Sequence, residues 1–167
     1  PVFSADPAPA TQDGLELRSQ TRTRVVYAKP GADFSAYDKV AILDCYVEFE
    51  KNWQKDYNAS QVGLDGRVTD KDVERMKADL AAEFKKVFTT ELQDKGGYQV
   101  VTTAAPDVLV LRPALINVEV NAPDLMTADF RRTVVRSAGQ MTLYLELWDP
   151  TTNTLLEIGR ASCRERV

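Results

Sequence analysis

Residues Thr69 to Lys95 constrain the fold most, because their apolar positions recur every three or four residues along a single stripe. Val73, Met76, Leu80, Phe84, Val87, Phe88 and Leu92 carry the stripe, and Asp, Glu and Lys fill the remaining faces. Thr69 with Asp72 three residues on is a capping box with Asp in place of Glu. Acids crowd the first turn, and Gly96–Gly97 supply a stop. One helix with one apolar stripe cannot bury that stripe alone, so the rest of the chain must provide a surface for it.

That surface reads as strands. Arg24–Ala28 is a short strand closed by Lys29, Pro30 and Gly31. Lys39–Phe49 (KVAILDCYVEF) is apolar at nearly every position and then alternates at Cys45, Val47 and Phe49. This is the pattern of a strand buried on both faces at its start and on one at its end. A polar loop is expected over Lys51–Arg67. After the helix come a short strand, Tyr98–Thr102, and a long one, Asp107–Val120. Pro113 has no N–H for a ladder, which places that point at an edge or a bulge. Asn121–Asp124 reads as a turn and Leu125–Phe130 as a loop. Thr133–Asp149 then alternates, with Met141, Leu143, Leu145 and Leu147 on one side and Thr142, Tyr144, Glu146 and Trp148 on the other. Asp149–Asn153 turns the chain into a return strand from Thr154. The fold class expected is α+β, a mixed, mostly antiparallel sheet of about five or six strands with one long amphipathic helix packed on one face.

The two ends are expected to stand apart from this domain, which the sequence bounds at residues 22–157. Residues 1–21 are rich in Pro, Ala, Ser, Gln and Thr, the composition of a flexible tether, and their first positions resemble the region around a signal-peptide cleavage site. Ile158–Val167 (IGRASCRERV), with Glu157 before it, match the translation of a short-read sequencing adapter. On that reading Ile158 and Gly159 at most mimic strand, and Arg160–Val167 stay unpacked. Discounting Arg160, Arg164, Arg166 and Glu165 moves the formal charge from −4 to −6. Cys163 then drops out, leaving Cys45 as a small buried apolar group with no disulfide partner.

Several chemistries are excluded by composition. The chain has no histidine, which removes Ser-His-Asp and Cys-His catalysis and histidine-ligated zinc. Its acidic balance and lack of a basic stripe argue against nucleic acid. No stretch approaches the roughly 20 apolar residues of a bilayer span. No glycine pattern cradles a phosphate, and the segment from Asp56 lacks the Gly and distal Glu of a calcium loop, so no cofactor and no metal is expected. Four strand acids, Asp44, Glu48, Glu119 and Glu146, leave open a carboxylate-dependent hydrolase acting on an envelope glycan. That reading needs two of them within about 5 to 10 Å of each other. The candidates for ligand or partner binding are Trp53, Tyr57, Arg112, Tyr144 and Trp148. Large aromatics on loops and polar strand faces serve binding surfaces and core edges alike, and arginine can clamp an anion. The pair Arg131 and Arg132 is a second anion-clamp candidate.

Three segments carry a family resemblance: FSAYDKVAILDCYVEF with KNWQKDYN (Phe34 to Asn58), RPALINVEVNAPD (Arg112 to Asp124) and SAGQMTLYLELWDPTTN (Ser137 to Asn153). They resemble the bacterial envelope lipoproteins called domain of unknown function 3313. The resemblance implies an exported protein of Gram-negative bacteria, in the periplasm or at the outer membrane, often anchored by an acylated N-terminal cysteine, with no assigned activity or functional residues. No such cysteine stands near Pro1, so membrane contact is expected only through an anchor this chain does not contain. The function expected is a non-catalytic binding or assembly domain of the cell envelope, its partner an unknown envelope protein or glycan.

Overall fold

The computed structural model describes residues 10–121 and 138–164. In chain order the elements are β1 (Glu16–Gln20), β2 (Arg24–Ala28), a 3-10 turn at Phe34–Ala36, β3 (Lys39–Ile42), β4 (Tyr46–Phe49), α1 (Trp53–Ser60), α2 (Asp70–Asp94), β5 (Gln99–Val101), β6 (Val108–Val120), β7 (Ala138–Asp149) and β8 (Thr154–Arg164). The strands form one sheet in the order β1-β2-β8-β7-β6-β3-β5, with β4 also paired to β6. Eight strands replace the five or six expected. The β1/β2, β2/β8, β7/β8 and β6/β7 pairs are antiparallel, and β3/β5, β3/β6 and β4/β6 are parallel.

The helix ends are those the sequence predicts. Thr69 caps α2: its hydroxyl accepts the Asp72 N–H, and the Asp72 carboxylate accepts the Thr69 N–H at 2.9 Å. Met76 and Leu80 are buried against Val47 and Phe49 of β4 and Leu115, Val118 and Val120 of β6. Further along, Phe88 and Leu92 pack on Val40, Ile42, Leu109 and Leu111. One stripe therefore covers one face of the sheet from β4 to β3.

Four readings of the sequence need correction. Lys51–Arg67 is not all loop: Trp53–Ser60 is α1, because Trp53 and Tyr57, one turn apart, stack at 5.6 Å between ring centroids while Trp53 also meets Phe49. Asn58 then clamps the chain after the helix, donating to the Val68 carbonyl at 2.8 Å and accepting the Val68 N–H at 2.7 Å. Pro113 lies on an interior strand, paired with Leu145 of β7. On its other side Leu111 accepts the Leu43 N–H, and the partner strand is interrupted between Ile42 and Tyr46. Two residues on, the proline's missing donor therefore faces that break in the ladder. The bulge of β6 lies instead at Asn117, in the left-handed region at φ 52°, and it shifts the register toward β4 and β7 alike.

The ends supply the other two corrections. The stretch to Thr21 is not wholly a tether. β1 pairs with β2, and Leu15, the residue before it, is completely buried. A polar strand needs no apolar run once its backbone is paired on one side, and β1 is such an edge. Arg160–Arg164 are not unpacked either. β8 runs through Arg164, pairing with β7 from Thr154 to Arg164 and with β2 from Glu157 to Ala161. A ladder is formed by main-chain groups, so the seam between β2 and β7 holds an extended segment of polar composition. The predicted turn after Asn121, the loop at Leu125–Phe130, the Arg131 and Arg132 pair, the first residues of the tether and the start of the Thr133–Asp149 strand lie outside the described residues.

Candidate functional site

Partners in adjacent strands point to the same side of a sheet, so the register assigns the side chains that face away from α2. Val110 lies opposite Trp148, Arg112 opposite Glu146, and Ala114 opposite Tyr144. On the other flank of β6, Tyr46 is the partner of Ala114. Three of the five candidates, Arg112, Tyr144 and Trp148, thus come together on the far face. Glu146 and Tyr46 join them.

Glu146 organises this cluster. The Tyr144 hydroxyl donates to its Oε1 at 3.1 Å and the Trp148 indole Nε1 to its Oε2 at 2.8 Å. Its side chain is only 16% exposed, whereas Arg112, with a guanidinium nitrogen 3.7 Å from Oε2, is 65% exposed. The carboxylate is therefore satisfied from below by two neutral donors, and the guanidinium stands above it facing solvent. Burial, then the charge and hydrogen bond of Glu146, push the Tyr144 hydroxyl up to about 12, so it remains a donor throughout the physiological range. Asp13 adds to that shift. Tyr46 is 61% exposed and Leu43 46%.

The other two candidates sit elsewhere. Trp53 is buried in the core under α2, its indole donating to the Val120 carbonyl at 3.0 Å, and Tyr57 stacks half-buried against it. Tyr46 was missed by the sequence reading. Its signal was parity: it occupies the position between Cys45 and Val47 in an alternating run, where the side chain must face opposite to the core.

The four acids do not form one cluster. Asp44 pairs with Lys85 of α2 at 2.9 Å, on the helix side. Glu119 is opposite Gln140 and accepts from it at 2.8 Å, six residues along β7 from Glu146, which is about 20 Å at the rise of an antiparallel strand. Glu48 of β4 stands beside the end of β6 that carries Glu119, so these two share a stretch of the far face with Glu146 set apart from them. Cys45 is buried, and burial pushes its thiol up to about 11, away from nucleophilic use.

A shallow depression of about 470 Å³ opens beside the starts of β3 and β6 and the end of β5, lined by Lys39, Thr102, Thr103 and Asp107 among others. Lys39 and Asp107 are bonded to each other there, tying the starts of β3 and β6. Among the described residues no group of three His, Cys, Asp or Glu could hold a metal ion, and no helix is long and apolar enough to cross a membrane.

Fold and site together define an α+β domain whose sheet carries its helix on one face and a polar-aromatic cluster on the other. The chain belongs to the family described as protein of unknown function DUF3313, whose model matches residues 10–157. No curated protein matches it. Among solved structures it is similar to a PelC dodecamer from Paraburkholderia phytofirmans carrying a leucine-to-methionine change. That match has 13% identity and a TM-score of 0.42, and it covers 84% of this chain and 79% of that one. A second PelC dodecamer from the same organism matches at 12% identity and a TM-score of 0.30, covering 85% and 82%. These scores fall short of a shared fold, and nothing said of PelC transfers to this chain.

Proposed function

We propose that this protein is a non-catalytic domain of the bacterial cell envelope that binds a partner through the sheet face opposite α2. The observation that carries the reading is the Glu146 hub. A carboxylate bonded by both Tyr144 and Trp148 fixes two large rings beside an exposed guanidinium, which is a preorganised contact surface. Absence of histidine, the separation of Glu119 from Glu146 and a buried thiol leave little at the Glu146 hub for bond-making chemistry. The envelope setting rests on the family resemblance and on the Pro- and Ala-rich start of the chain.

The test is retention of partners from an envelope fraction on the immobilised protein, compared across single variants. Tyr46→Ala and Trp148→Ala are expected to weaken the specific retained fraction at least tenfold. Val87→Ala, at an exposed apolar position on α2, is expected to leave it unchanged. Equal retention by all three, with folding verified by circular dichroism, would overturn the proposal.

A further inference from the structure

We propose that the far-face cluster is a subsite for an acidic saccharide, with Arg112 taking the sugar carboxylate and Trp148, Tyr144 and Tyr46 offering their rings to the sugar faces. The inference rests on the binding role of this face and adds the chemistry of the ligand.

Charge comes first. Glu146 neutralises part of Arg112 from below but sits 3.7 Å away with both oxygens already bonded by the aromatic donors. The guanidinium, 65% exposed, keeps its outer edge for a planar two-oxygen acceptor, the geometry that arginine matches with two parallel bonds. Arg160 of β8 is the register partner of Tyr144, so a second guanidinium shares this face. Glu48 and Glu119 lie beyond Ala114 toward the end of β6. A ligand's negative group is therefore directed to Arg112, away from that end of β6.

Shape favours a saccharide over an acidic peptide. Arg112, Tyr144 and Trp148 stand on β6 and β7, strands whose main-chain groups are taken up by neighbours on both sides. An extended peptide binds sheets by adding a strand to an edge, and β6 and β7 offer none; the nearest free edge is that of β4, which pairs only with β6. Recognition at Arg112, Tyr144 and Trp148 is therefore by side chains. Tyr144 and Trp148 are four residues apart on one strand, about 14 Å by the strand rise, with Arg112 across from the residue between them. Aromatic rings around a cation suit pyranose rings bearing a carboxylate.

The test is calorimetric titration of the folded chain with three probes of matched length: an oligomer of galacturonic acid, the neutral oligomer of galactose, and oligoglutamate. The galacturonate oligomer is expected to bind at least tenfold more tightly than either of the others and to weaken as salt is raised. Arg112→Gln should weaken it at least tenfold, Arg112→Lys should recover part of the loss, and Trp148→Ala should weaken the acidic and neutral sugars alike. Preference for oligoglutamate, equal binding of the neutral oligomer, indifference to Arg112→Gln, or no binding of galacturonate each overturns the assignment. If galacturonate fails while the envelope fraction still depends on Trp148, only the ligand class falls. If the fraction shows no such dependence, the binding role of the face falls with it.

Discussion

At the scale of single residues, the same side-chain types do opposite work according to which side of the sheet they reach. Trp53 and Trp148 were equal candidates in the sequence. One is sealed under α2 with its N–H on Val120, and the other lies on the far face with its N–H on Glu146. Nothing local separates them, because burial of a ring depends on what a distant segment lays over it. Tyr37 and Asp149 show a second long-range dependence: the tyrosine hydroxyl donates to Asp149 Oδ2 at 2.6 Å across 112 positions, while Oδ1 accepts the Thr151 N–H. The Tyr37 bond, chiefly, holds the Asp149 carboxyl below its ordinary 3.8. A carboxyl with a lowered folded pKa stabilises the fold above its unfolded value, and that contribution is lost as pH falls through the folded one. Tyr37→Phe is therefore expected to lower stability above pH 4 and to flatten the acid limb of a melting-temperature profile below it. An unchanged acid limb would show that the pair contributes nothing.

At the scale of elements, α2 was legible to within a residue because its cap, its stripe and its stop agree. The turn at residues 149–153 was legible for the same reason, with Asn153 taking the left-handed conformation at φ 52°. The sheet was less so. Periodicity shows that a segment is extended but not whom it pairs with, which is why β3 and β4 read as one strand and why the parallel pairs on either side of α2 were missed. β1 and the second half of β8 were missed because their alternation is weak and their stability comes from the ladder. The β2/β8 register spans Glu157 to Ala161, so removing residues after Glu157 should undock β2 and β1. Hydrogen exchange is expected to lose protection in Glu16–Gln20 and Arg24–Ala28 while α2 keeps its own. Retained protection in those two strands would mean that β8 is dispensable beyond Glu157.

At the scale of the molecule, the central claim is that the two faces of the sheet have different tasks, the helix side for stability and the far side for binding. The sequence carried the outline of this division in the alternation from Met141 to Trp148, whose two parities separate Leu143, Leu145 and Leu147 from Tyr144, Glu146 and Trp148. What joins Arg112 and Tyr46 to the second set is register between strands far apart in the chain, which no local pattern encodes. The chain has two tryptophans, one on each side, and their indole N–H resonances report the two faces separately. In a nitrogen-proton spectrum recorded while the soluble envelope fraction is added, the account predicts a concentration-dependent shift of the Trp148 resonance with the Trp53 resonance held in place. Equal movement of both, or movement of Trp53 alone, would contradict it.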